Sequence, residues 1–264
     1  MFSRTPRRGA PARDALLDAA LQIACNRGVD YLELRQSREV PGEFRVDTHK
    51  VSLTMPLKAT VEEQWDSAPS ERRNRVRKSR KSGLRAEFAG LNRLSDFYRV
   101  WSHNMRDLGS PAHSRRWFEV ALETFREHMT LLLIRDDQDF AGAAVLVEYK
   151  GTLAVPWVSS LRQHFARHPN DLLYWEAMKR GVERGCRRFD FGRSTAGSGN
   201  FTYKVRWGAE ATPIYWQYRA LGKGGATLPD EESAKYSLAV NLWKRMPVGL
   251  ANRIGPRIRK GITK

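Results

Sequence analysis

The chain has 264 residues, 41% of them apolar, and 46 Lys and Arg against 29 Asp and Glu, a formal charge of +17. The apolar content supports a buried core, while two cysteines, Cys25 and Cys186, exclude a disulfide framework. The positive balance draws nucleic acid, anionic lipid or phosphorylated substrates without specifying a fold. No apolar run approaches the roughly 18–20 residues that span a bilayer.

Residues 1–13 (MFSRTPRRGAPAR) are basic, contain two prolines and a glycine, and lack an apolar signal core. They are expected to be disordered, and the protein is expected in the cytoplasm, with reduced thiols, or on the inner membrane face. From Asp14 to Asn26 a stripe of Leu16, Leu17, Ala20, Leu21 and Ala24 predicts a helix, with Gly28 placed to end it. Val29–Leu34 alternates as a strand, and Lys50–Leu57 reads as another, cut by Pro56.

Pro69 and Glu71 suit the first turn of a helix running to about Ser82 and stopped by Gly83. Seven of the ten residues from Arg72 to Lys81 are basic, and Val76 is the lone apolar side chain. Such a run is commonly a solvated face. It also repels itself unless a polyanion is near, which makes Arg73, Arg77, Lys78 and Lys81 candidates for facing phosphate or tRNA. Phe97–Leu108 is a second helical pattern, ended by the turn Gly109–Pro111, with His103, Asn104, Arg106 and Asp107 near its end.

Ser114–His128 continues as an amphipathic helix. Thr130–Ile134, Phe140–Tyr149 and Thr152–Ser159 then form an antiparallel meander, separated by turn segments. Asn170 is placed as N-cap of a helix Asp171–Arg184, with Gly185 its stop. Ile214–Leu221 is the last strand. The class is α/β, helices packed on a mixed sheet. Gly222–Glu232 reads as a linker. The tail from Lys244 to Lys264 carries seven basic residues and no acid, interleaved with Leu250, Ile254 and Ile258. This suits an interfacial helix on an anionic leaflet, kept in short pieces by Pro247 and Pro256; the competing reading is a tail that packs on the core.

The chain is organised around Cys186–Ala209, CRRFDFGRSTAGSGNFTYKVRWGA. A strand, Arg188–Phe191, places Phe189 and Phe191 on one face and Asp190 on the other. A permissive loop, Gly192–Gly199, follows, and Phe201–Trp207 sets Lys204 and Arg206 among aromatic residues. Strand, glycine loop and cationic segment together suit a ligand site at a strand's carboxyl end; an ordinary surface turn is the alternative. Metal-ligand spacings, a GxSxG elbow and a Walker loop are all missing. A legible R/Q-x-x-G-x-G/A pyrophosphate loop is missing as well.

The run FDFGRST…SGNFTYK…WGA resembles the C-terminal signature of Fem-type (FemAB-like) acyl and aminoacyl transferases, which carry tandem acetyltransferase-like (GNAT) domains. Tyr31–Arg35, Arg72–Leu84, Phe97–Pro111 and Asn170–Gly185 fit, in order, the branch associated with PEP-CTERM/exosortase systems. The resemblance implies a mixed, largely antiparallel GNAT sheet flanked by helices at 59–222. It further implies a remnant of a first GNAT domain at 14–58, whose earlier half is missing or lies before a misplaced gene start, and a linker and basic tail at 223–264.

Tyr203-Lys204 matches the family's Phe-Lys or Tyr-Lys pair, so the resemblance implies Lys204 as a catalytic cation, with Asp190 as a second catalytic residue; the alternative for Lys204 is a solvated helix lysine. Arg193, Ser194, Tyr203, Arg206, Trp207, Asp107 and His103 are the expected substrate contacts. No permanently bound cofactor is expected; the donor is aminoacyl-tRNA or acyl-CoA. The resemblance implies as acceptor an amine of a cell-envelope or exopolysaccharide precursor, and as partner an anionic inner-membrane surface or a lipid-linked saccharide precursor. The other reading is a non-catalytic basic protein that binds RNA or anionic membrane. Strands at 29–34 and 50–57, without the partners the missing half would supply, lead to expected self-association.

Overall fold

The computed structural model describes residues 10–222 and 234–262. The chain opens with α1 (Ala10–Asn26), β1 (Tyr31–Gln36), β2 (Arg45–Asp47), β3 (Lys50–Pro56), α2 (Val61–Ser67), α3 (Ser70–Lys81) and β4 (Arg85–Ala89). Next come α4 (Leu94–Asp107), α5 (Arg115–Thr124), β5 (Met129–Arg135), β6 (Phe140–Tyr149), β7 (Thr152–Ser160) and α6 (Pro169–Glu183). The last elements are β8 (Arg188–Thr195), α7 (Gly199–Val205), β9 (Glu210–Pro213), β10 (Tyr215–Ala220), α8 (Ala234–Lys244) and α9 (Val248–Ile262).

Two compact units emerge, Met1–Lys50 with Pro213–Asp230, and Val51–Thr212 with Glu231–Lys264. This differs from the division expected at 58/59 and 222/223: β3 joins the larger unit, β10 leaves it, and the tail belongs to it. Of the N-terminal segment expected to be disordered, residues 10–13 are helical and the rest lies outside the described residues.

In the smaller unit β10 is the middle of an antiparallel sheet ordered β1-β10-β2, Tyr31 opposite Ala220 and Trp216 opposite Asp47. The side chain of buried Gln217 donates to the Val40 carbonyl and accepts from the Val40 N–H, both at 2.7 Å, so it serves that backbone as a strand would. The strands expected to lack partners are therefore partnered. β1 takes β10 along its whole length, and β3 lies between β8 and β9. The expected cause of self-association is removed.

The larger unit is built on a sheet ordered β4-β5-β6-β7-β8-β3-β9, antiparallel from β4 to β7 and parallel between β7 and β8. The predicted meander is present, and β4, which sequence patterning missed, adds a strand to its edge. Its sequence RAEFA has two charges in five residues and is only partly buried, so no clean alternation marks it. β5 is apolar on both faces because helices cover both: Leu132 and Ile134 enter the core under α6, Leu131 and Leu133 the core under α4 and α5. Small residues let β6 and β7 approach; a Cβ on Gly142 would lie 2.9 Å from Ser160 Oγ.

α6 is buried nearly all round, through Leu172, Leu173, Tyr174, Trp175, Ala177 and Met178. Its N-cap is His168 with φ 54°, followed by Pro169, rather than Asn170. Asn170 lies inside the first turn and accepts a hydrogen bond from Ser160 Oγ at 2.6 Å.

The basic helix α3 packs on α6 with Arg72, Val76 and Ser79, a stripe at i, i+4 and i+7. Arg72 is 1% exposed and donates to Asp171, 3% exposed, at 2.7 Å. Burial pushes the Asp171 carboxyl up, and the Arg72 charge opposes that shift.

The tail forms two helices packed on α4, so the core-packing reading holds for it. Trp243 and Ala251 are buried, Arg106 donates to the Met246 carbonyl at 2.8 Å, and Asn252 donates to Ser102 Oγ at 3.2 Å. α9 runs through Pro256 instead of breaking there.

Removing one member of the Arg72–Asp171 pair strands the other without water. Arg72→Met should therefore lose roughly 3–5 kcal/mol in denaturant unfolding, and the double variant Arg72→Met/Asp171→Leu should recover most of that loss. Equal stability of wild type and Arg72→Met would contradict the pairing.

Candidate active site

β7 and β8 keep their parallel ladder only from Thr152–Arg188 to Ala154–Asp190, although β7 runs on to Ser160 and β8 to Thr195. The ladder stops where Gly192 takes φ +73°, a conformation glycine adopts without strain. Asp190 Oδ1 accepts the Gly192 N–H at 2.7 Å and holds this bend. Strand β8 thus continues four residues beyond the expected strand end, and the glycine loop shrinks to the turn before α7. Ser198, the N-cap of α7, accepts the Phe201 N–H at 3.2 Å.

α7 returns Lys204 to the bend. Its Nζ donates to the Arg193 carbonyl at 3.0 Å and to the Gly192 carbonyl at 3.5 Å. Lys204 is 8% exposed, which rules out the reading of a solvated helix lysine. Burial lowers its pKa to about 8, and the Asp190 charge pulls in the opposite direction.

Tyr203 packs on the other side of α7, its ring 5.8 Å from Tyr174 and 5.0 Å from the Arg72 guanidinium. Burial, then the Asp171 charge, pushes its phenol well above the ordinary value. Trp207 is buried in the core under α6, and the buried Ser194 Oγ has no hydrogen-bond partner among the described residues. Arg193 and Arg206 are exposed. Asp190, Arg193, Ser194 and Lys204 therefore lie at one bend, while Tyr203 and Trp207 turn into the core and Arg206 is exposed just past the end of α7.

His103 and Asp107 form a separate group. Asp107 pairs with Arg106 at 2.7 Å, and His103 lies 3.9 Å from Asp107. No hydrogen bond or ion pair among the described residues joins them to Lys204.

The basic helix is also less bare than its sequence reads. Arg72, Arg73, Arg75 and Arg80 pair with Asp171, Asp66, Glu71 and Glu176. Three of these acids stand on other helices, which a local count of charge does not see. Arg77 donates to Asn74 at 3.1 Å and lies over Trp65, while Lys78 and Lys81 are exposed without a carboxylate partner among the described residues.

An aromatic wall that sequence patterning did not assemble lines the α5 side of β7. His113 stacks on Trp117 at 4.9 Å, and Trp117 meets Trp157 edge-on at 5.1 Å. The charge of Arg259, on α9, reaches both His113 and Arg193. The sequence carried no periodic signal for this wall, because His113 precedes the N-cap Ser114 and reaches Trp117 from outside α5.

A lysine with pKa 10.5 unfolded and about 8 folded binds more protons unfolded between those values, so stability rises with pH across that window. Relative to Lys204→Met, the wild type should gain about 3 kcal/mol between pH 8 and 10.5, followed by urea unfolding at each pH. A difference constant with pH would show that Lys204 titrates as an exposed lysine.

Comparison with known proteins agrees with this architecture. FemX superimposes with a TM-score of 0.63 at 15% identity, covering 78% of this chain and 76% of its own. The C-terminal domain of a putative lysylphosphatidylglycerol synthetase from Agrobacterium fabrum gives 0.58 at 14%, covering 86% and 76%. A tandem GNAT protein from the clavulanic acid biosynthesis pathway gives 0.55 at 12%, covering 83% and 72%. At such identities the likeness concerns the fold. No curated protein sequence matches the chain. A family model described as an acetyltransferase (GNAT) domain matches residues 70–205, from the first residue of α3 to the last of α7 and half of the chain; the protein belongs to that GNAT acetyltransferase-domain family.

Proposed function

We propose that the protein is an acyltransferase that moves an acyl or aminoacyl group from an activated ester or thioester to an amine. The observation that carries this reading is the buried Lys204 ammonium at the bend where β8 leaves β7. An ammonium has three donors, and two of those on Lys204 are directed at carbonyls of its own chain. The third is available to an oxyanion. The acceptor amine adds to the acyl carbon, forming the C–N bond and placing negative charge on the former carbonyl oxygen. Lys204 stabilises that charge, and collapse expels the alcohol or thiol, which takes up the proton the amine loses.

Asp190 keeps the bend and raises the proton affinity of Lys204, so it acts as a positioning residue. Exposed Arg193 suits a phosphate or carboxylate on the donor, held by its planar fork. The donor in this reading is acyl-CoA or aminoacyl-tRNA. The Fem-type resemblance, in its PEP-CTERM-associated branch, makes the acceptor an amine of a cell-envelope or exopolysaccharide precursor.

In an assay of acylated product by mass spectrometry, Lys204→Ala should lower turnover about 10²–10³-fold with little change in KM. Arg193→Lys should raise KM instead. Wild-type turnover should fall as pH rises past about 8, where the ammonium is lost. Equal turnover of Lys204→Ala and wild type would end this mechanism.

We further place the protein on an anionic membrane surface. No helix among the described residues is long and apolar enough to cross a membrane. The outer side of the tail exposes Leu238 (71%), Leu242 (67%), Leu250 and Ile258 beside Lys244, Arg245, Arg253, Arg257 and Lys260. At roughly 1 kcal/mol per basic residue near such a surface, reversible binding follows. Because the tail also packs on α4, the test is substitution rather than deletion. Arg253→Glu/Arg257→Glu should abolish sedimentation with phosphatidylglycerol vesicles at low salt, and unchanged sedimentation would refute this placement.

A further inference from the structure

At the end of β8 remote from Gly192, a cavity of about 660 Å³ opens between the β6–β7 hairpin, the end of β3 and β9. Lys150, Arg187 and Arg188 line it, with Glu210 as its one carboxylate and Thr54 and Thr152 as hydroxyl donors. Elsewhere in this unit Arg85, Arg93, Arg99, Arg167 and Arg184 take carboxylates. Lys150, Arg187 and Arg188 take none among the described residues. Lys150 lies near the ring of Tyr149.

The backbone that carries the three charges is held on every side. Lys150 and Gly151 form a two-residue turn with φ 47° and 72°, closed by the Tyr149–Thr152 pair. The Gly151 carbonyl accepts from the N–H of Arg187 at 2.8 Å and of Arg188 at 3.3 Å, and the Arg187 carbonyl accepts from Leu57 N–H at 3.0 Å. A Cβ on Gly151 would lie 3.8 Å from the Arg187 guanidinium, so that side chain rests on the turn. Three like charges fixed around one concavity repel each other, and a compact polyanion relieves that repulsion.

We propose that this cavity is a binding site for a diphosphate group borne by a small ligand. Three cations and one carboxylate leave a net charge of +2, suited to two adjoining phosphoryl groups. Two guanidiniums offer forked donors to their oxygens, and the threonines add neutral ones. The site lies apart from Lys204, and its test reads binding, so failure of the transfer mechanism leaves it standing.

The experiment is calorimetric titration of the full chain with pyrophosphate at low salt, with a single-stranded oligonucleotide titrated in parallel. Saturable one-to-one binding of pyrophosphate is expected, at least tenfold weaker in Arg187→Gln/Arg188→Gln and unchanged in the exposed control Arg115→Gln. Glu210→Gln removes the opposing charge and should tighten binding several-fold, a gain that misfolding cannot mimic. Absence of saturable pyrophosphate binding, equal affinity of the double variant, or binding confined to the oligonucleotide would overturn the proposal.

Discussion

The buried Arg72–Asp171 pair is the constraint on which the arrangement of helices in the larger unit depends. Neither charge is tolerated alone in that interior, so α3 and α6 must meet at one register. Tyr203 lies against the Arg72 guanidinium, which ties α7 to the same point. Lys204 is the next residue in α7, and it inherits its placement from this contact. A pair that does little for net stability can still exclude alternative packings, because each shifted register would leave an ion buried without a partner.

The site itself is made by an interruption. A sheet that kept its ladder between β7 and β8 would satisfy its own backbone and leave no place for a ligand. Gly192 breaks that regularity, and the two carbonyls around the break receive the Lys204 ammonium. Those carbonyls aim the ammonium, while the burial that comes with this placement lowers its pKa.

Much of this was legible in the sequence where the signal is local. The meander from Thr130 to Ser159 and the helix following residue 169 were read from periodicity, and the Tyr203-Lys204 pair was singled out from its motif. What was not legible is what folding brings together across long separations. Asp171 gave no sign of being the partner of Arg72, and the acids that pair with three of the seven basic residues of that helix lie on other elements. β10 was read as the last strand of the main sheet because a strand's period says nothing about which sheet it joins. The tail misled for a related reason. A basic amphipathic stripe has the same pattern whether its apolar side meets lipid or α4, and Trp243 is what turns α8 toward the protein.

The pairing of β1 with β10 has a consequence for biosynthesis. These strands belong to one small sheet, yet the whole of the sheet that carries the site is encoded between them. During translation β1 leaves the ribosome long before its partner exists, and it waits while the chain through α7 emerges and folds. Closure of the small sheet is thus a late, non-local event that follows formation of the catalytic fold. It makes the register of β1 and β10 a record that everything between them has been completed.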